Sequence, residues 1–336
     1  MNRFLKTAAL AMMALTIIAA GRPRAAYHVV ATIPGPDAAG WDYARVDSVA
    51  HRLYIARSAS VTVIDTQREL SVGSIGAIAH GHAVLPLSGG RLLVTSGQDA
   101  SVRFLSASDG RELGRATVGA KPDAAILSDD GETGFVMNAE AGSVSVIDTT
   151  TMRVTRTVPL KPGLEYAALG PNDTLFVNNE DANEIDRVDA RRGTAAKPIA
   201  LPGCVSPSGL AYDAKSDRLV AACANGKAAI VRAADGKLVQ LVEIGAGPDA
   251  VILDPQRRLA FIPCGKDGVL DILSVDGPAV KRIDRIKTAA GARTGALDPE
   301  SGAIYLPTAS FDPPARPGTR PTAKPGTFKV LVVKPA

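Results

Sequence analysis

The chain has 336 residues, enough for one large domain or two ordinary ones, and 46% of them are hydrophobic. Aromatics are only 4%, while Gly (32) and Pro (23) are abundant, which argues against a helical bundle and for short strands broken by turns. The formal charge of +4 comes entirely from Arg3, Lys6, Arg22 and Arg24; the rest of the chain is neutral, and that counts against a nucleic-acid partner.

Taken in chain order, residues 1–26 read as a secretory signal peptide. Arg3 and Lys6 precede an uncharged, mostly apolar run at 8–20, too short to span a bilayer comfortably, with small residues placing cleavage between 21 and 26. An uncleaved anchor is the alternative. Residues 27–336 then form a periplasmic or secreted domain, and no later stretch is a transmembrane candidate.

From residue 28 onward the strands follow a period. His28-Val29-Val30-Ala31-Thr32-Ile33 is an orphan strand. After it a bulky apolar strand recurs seven times: Leu53-Tyr54-Ile55, Leu92-Leu93-Val94, Gly134-Phe135-Val136, Leu175-Phe176-Val177, Leu219-Val220-Ala221, Ala260-Phe261-Ile262 and Ile304-Tyr305-Leu306. Successive copies are 39, 42, 41, 44, 41 and 44 residues apart. A small-residue strand such as Ala124-Ala125-Ile126-Leu127 precedes the marker. An alternating strand such as Val144-Ser145-Val146-Ile147-Asp148 follows it, and a fourth, such as Val154-Thr155-Arg156-Thr157-Val158, follows in most copies.

A four-stranded unit of this length cannot cover both faces alone, and radial stacking solves the problem. The expectation is an all-β, seven-bladed propeller of four-stranded blades with the small-residue strand innermost. The seventh repeat lacks a fourth strand, so the orphan strand at 28–33 is expected to complete it and close the ring.

Pro122-Asp123-Ala124, Phe135-Val136-Met137-Asn138 and Val144-Ser145-Val146-Ile147-Asp148 resemble the YVTN propeller repeat, and Pro248-Asp249-Ala250 repeats its start. Trp41-Asp42-Tyr43, the run from Gly291-Ala292-Arg293-Thr294 to Leu306-Pro307-Thr308, and Pro325-Gly326-Thr327-Phe328 make the whole chain resemble YncE-like exported bacterial propellers. The resemblance implies the fold. It supplies no catalytic residues, because propellers host many unrelated activities.

In such a blade the loop entering the inner strand and the loop leaving the second strand share one face. Asp42, His82, Asp123, Glu165, Ser208, Asp249 and Arg293, about 13 residues before each marker, should therefore ring the channel mouth as a ligand-binding set. The repeated Asp can also simply bond local backbone amides, so His82, Glu165, Ser208 and Arg293, which break the repeat, carry more information. His80, His82 and Glu165 are candidate ligands for a divalent cation, the one cofactor these residue types suit, against the plain reading of loop residues. His82 and Glu165 are also the candidate acid–base residues.

Cys204 and Cys223 fall at one face of blade five and form the preferred disulfide; Cys223–Cys264 competes. Positions two past each marker, including Asn138 and Asn179, read as loop caps. The proline-rich insert at 310–327 in blade seven is a lid, a partner contact or a passive strap. Haem-attachment, phosphate-loop, nucleophile-elbow and zinc-site motifs are absent.

Two readings remain. One is a monomeric envelope protein that binds a small ligand or another envelope protein at the mouth. The other is a metal-assisted propeller hydrolase or lyase of the lactonase kind.

Overall fold

The computed structural model describes residues 26–37, 40–313, 316 and 321–336. The signal-peptide reading therefore lies outside the described residues, as does the tip of the blade-seven insert. None of the described residues forms a helix long and apolar enough to cross a membrane.

Small inner residues, bulky middle residues and alternating outer residues sort the strands by depth. In the third blade the strands are Pro122–Leu127, Thr133–Asn138, Ser143–Asp148 and Arg153–Pro159, hydrogen-bonded in that order and all antiparallel. Ala124 and Ala125 are buried where the blades crowd around the axis, and Phe135, Val136 and Met137 fill the space between blades. The outer strand alternates and faces solvent. Seven sheets of four strands repeat this plan, and apolar clusters between neighbouring blades form the core.

The seventh sheet joins both ends of the chain. Ala296–Leu297, Ile304–Thr308 and Lys329–Pro335 are completed by the outer strand Tyr27–Pro34, which pairs with Lys329–Pro335. The expected closure is what the structure has. Arg57 of blade one, buried in the adjoining seam, stacks over Phe328 at 3.7 Å and donates Nε to the Gly40 carbonyl at 2.5 Å. Burial lowers its pKa to about 10, and Asp37 opposes that shift.

Two backbone devices recur at one face. The first is a bulge in the inner strand. Two residues oppose one at His82-Ala83, Asp123-Ala124, Glu165-Tyr166 and Ser208-Gly209. A bulge re-aims a side chain, and here it turns the expected mouth residues toward the axis. The second is a left-handed residue two positions before each mouth residue: Gly40, His80, Lys121, Gly163, Ser206, Gly247 and Gly291 all have positive φ. Four are glycine, the residue that adopts this conformation without strain.

Side chains of one blade hold the bulged backbone of the next. Thr95 Oγ1 donates to the Asp123 carbonyl at 2.9 Å, and Asn178 Nδ2 donates to the carbonyls of Ser208 and Gly209, both at 3.0 Å. Tyr43 N donates to the His82 carbonyl at 3.0 Å. Gly209 lies so near blade six that a Cβ would sit 2.4 Å from the Ala250 carbonyl carbon.

Candidate functional site

The mouth residues separate into three groups. Asp42, His82 and Asp123 come from blades one, two and three, and their ligand-type atoms lie within 4.8 Å of one another. His82 Nδ1 is 2.8 Å from Asp42 Oδ2 and 3.5 Å from Asp123 Oδ1. Burial opposes charge on His82, but the hydrogen bond to Asp42 and the charges of Asp123 and Asp42 raise its pKa on balance. Burial, then the charge of Asp42, pushes Asp123 up to about 7, against the pull of His82 and Lys121.

Across the mouth, Arg293 donates Nε to Asp249 Oδ2 at 2.6 Å and reaches toward Asp42 Oδ1 at 4.0 Å. Burial raises the Asp249 pKa; the charge of Arg293 opposes this and does not cancel it. Arg293 Nη2 also meets the Trp41 carbonyl at 3.4 Å. The Arg293–Asp249 pair therefore ties blades six and seven together beside blade one.

Glu165 forms the third group, and its partner comes from the opposite side of the ring. Tyr43 of blade one donates its hydroxyl to Glu165 Oε2 of blade four at 3.3 Å. Its ring lies 4.8 Å from that of Tyr166, and Arg45 Nη2 meets the Tyr166 hydroxyl at 3.1 Å. Blades one and four are as far apart as a seven-membered ring allows, so these contacts span the axis. They join blades one and four across the mouth, a basin of converging side chains. Burial, followed by the charges of Asp123 and Asp249, holds the Glu165 carboxyl well above the usual range. Burial and the surrounding carboxylates Glu165, Asp249, Asp42 and Asp123 do the same to the Tyr43 hydroxyl.

Glu180, at the exit of the second strand of blade four, adds a charge felt by both Glu165 and Asp249. The basin thus carries five carboxyl groups against Lys121, Arg293 and the titratable His82. Sequence reasoning missed Tyr43, Arg45, Lys121 and Glu180. Only the recurrence of the exit loop one blade on could have pointed to Glu180.

Ser208 does not join these groups. Its hydroxyl donates to the Pro248 carbonyl at 3.1 Å, a bond between blades. Among the described residues, His80 and Glu165 are not part of the three-residue cluster. His80 occupies the left-handed position, and its ring packs edgewise on His82 with centroids 4.8 Å apart.

The other expected features are structural. Cys204 and Cys223 form a disulfide, and Cys264 is a buried free thiol. Burial, then Asp271, pushes the Cys264 pKa up to about 12, so it is no thiolate nucleophile. Asn179 caps its exit loop by accepting from Ala182 N, whereas Asn138 donates to the hydroxyls of Ser143 and Ser145 on the next strand of its blade. The described part of the insert straps down beside the mouth: Phe311 bridges to Ala323 and packs on Trp41, with ring centroids 6.0 Å apart.

A cleft of about 740 Å³ lies at the opposite end of the inner strands, lined among others by Arg45, Val49, Leu85, Leu87 and Ile126. Its size is within the range of small-molecule sites. Its lining lacks the concentration of buried charge found in the basin.

No protein-family model matches the chain, and no curated protein matches it by sequence. Among solved structures it is similar to a chain of Kuenenia stuttgartiensis hydrazine synthase, with a TM-score of 0.72 and 17% identity over 81% of this chain and 93% of that one. At that identity the likeness shows the seven-bladed propeller fold and nothing finer.

Proposed function

We propose that this protein is a ligand-binding propeller of the cell envelope whose basin takes a small, positively charged ligand. The observation that carries the reading is the convergence of Asp42, Asp123, Glu165 and Asp249, from four blades, around the Tyr43 hydroxyl. Carboxyl groups crowded together and partly withdrawn from water cost folding energy unless something offsets their mutual repulsion. A bound cation does so. The signal-peptide pattern and the Cys204–Cys223 disulfide support an exported location, periplasmic or secreted. The YVTN-like repeats support kinship with exported propellers. Closure of the ring by its own N-terminal strand supports a monomer.

Isothermal titration of the full chain with MnCl2, ZnCl2 and 1,4-diaminobutane, with sodium acetate as anionic control, tests this. At least one cation should bind saturably, and Asp123→Asn combined with Glu165→Gln should weaken it at least tenfold. Binding of none of the three, or binding indifferent to both substitutions, overturns the reading.

One observation favours the hydrolase reading as a second. Glu165 is a half-buried acid held toward its protonated form beside a phenol, the state a general acid needs. That reading requires lactone or ester hydrolysis that Glu165→Gln abolishes with the fold intact. Absence of turnover in metal-supplemented protein contradicts it.

A further inference from the structure

We propose that the cation taken by the basin is a divalent transition-metal ion of the zinc or manganese class, held by Asp42, His82 and Asp123. The proposal rests on the reading of the basin as a cation site and narrows it to one ion class and one set of ligands.

Three consecutive blades each present one ligand-type atom, and these atoms lie within 4.8 Å of one another. Direct ligands lie roughly 2.0–2.2 Å from such an ion, so bound ligand atoms stand about 3–4 Å apart, and little inward movement is needed. One imidazole nitrogen with two carboxylate oxygens suits zinc or manganese. An ion that takes oxygen alone, such as calcium, would be served better by carboxylates without the imidazole.

A second observation, separate from the clustering, points the same way. The Asp123 side chain is 8% exposed, yet among the described residues no donor makes a hydrogen bond to it, the nearest being His82 and Lys121. His82 Nδ1 has at most one proton to donate, and it faces Asp42 at 2.8 Å, leaving Asp123 at 3.5 Å. Lys121 Nζ stops 3.7 Å from the other oxygen of Asp123. Buried carboxylates are ordinarily satisfied by donors. An ion between the three groups supplies what neither His82 nor Lys121 gives.

Ligation uses the Nδ1 lone pair, so the proton there leaves to solvent or moves to Nε2. That atom is buried without a partner, and no existing bond opposes the tautomer. Three protein ligands leave at least one coordination position for water or an incoming ligand. Lys121, 3.7 Å from Asp123, and Arg293, 4.0 Å from Asp42, oppose the ion's charge beside the site, and removal of Lys121 should tighten binding.

The test is titration of chelator-stripped full chain with ZnCl2 and MnCl2 at neutral pH, with elemental analysis. One ion per chain is expected. Asp123→Asn and His82→Ala should each weaken it at least tenfold, and Lys121→Met should strengthen it. Cobalt(II) added to the unaltered protein should give visible bands of a bound ion, a readout that needs no variant to fold. Sub-stoichiometric metal, affinity unchanged by His82→Ala, or the spectrum of free aqueous cobalt would overturn the proposal. If 1,4-diaminobutane binds and metals do not, the metal site falls while the cationic-ligand reading stands. If neither binds, both fall.

Discussion

Asp213 and Arg258 show how single side chains fasten the blades. Arg258 of blade six donates Nη2 to Asp213 Oδ2 of blade five at 2.6 Å, and its Nη1 bonds the other oxygen. Burial pushes the Asp213 pKa up, but the hydrogen bonds from Arg258 and Ser216 and the charge of Arg258 outweigh it, so the net shift is downward. A lowered folded-state pKa stabilises at pH above the unfolded value, and that stabilisation is lost as pH falls through the folded one. Arg258→Ala should therefore cost about 3 kcal/mol at pH 7, because it leaves a buried carboxylate unpaired. The cost should begin to shrink below about pH 4, where Asp213 protonates in the unfolded state, and should go on shrinking as pH falls through its lowered folded-state value. Denaturant melts of both proteins at pH 7 and pH 3.5 check this; an equal penalty at the two pH values would refute it. The basin acids have the opposite sign. Glu165, with its raised pKa, costs stability at neutral pH and ceases to do so as pH falls through its folded value.

At the scale of the element, the mouth positions were legible because the repeat is. Counting back from each apolar marker reaches His82, Asp123, Glu165 and Ser208, which are bulged residues, since the bulge sits at a fixed place in the blade. What those residues do was not legible. Ser208 looks like a site residue by position but serves as an interblade bond. His80 looks like a ligand by type but fills a conformational slot that glycine takes in four other blades. Tyr43 reaches Glu165 across 122 residues of chain, a distance over which no local pattern carries information. The cysteine pair did follow from placement, because Cys204 enters and Cys223 leaves neighbouring strands of blade five at one face. It closes a loop of 19 residues in sequence separation, for which chain entropy gives about 3 kcal/mol. Replacing both cysteines by serine should lower stability by that order in non-reducing buffer while leaving basin binding within twofold. A loss under about 0.5 kcal/mol would show that the bridge contributes little.

For the whole molecule, closure matters most. The outer strand Tyr27–Pro34 buries Tyr27 and Ile33 and covers Lys329–Pro335, and without it Val330–Val333 would lie at an open sheet edge. Open apolar edges invite pairing with other chains. A chain starting after residue 34 should melt roughly 10 °C lower or more and aggregate on heating. A truncated monomer with an unchanged melting temperature would contradict that account of the ring. The same ring brings four carboxyl groups from separate blades to the Tyr43 hydroxyl, and it places an apolar cleft at the far end of the axis. These are two rival places for a ligand, and density in a crystal distinguishes them directly. Crystals soaked in MnCl2, and separately in 1,4-diaminobutane, should show new density, anomalous in the first case, in the basin bounded by Asp42, His82, Asp123, Glu165 and Asp249. Density confined to the cleft beside Arg45 and Leu87, or no density with either probe, would contradict the account.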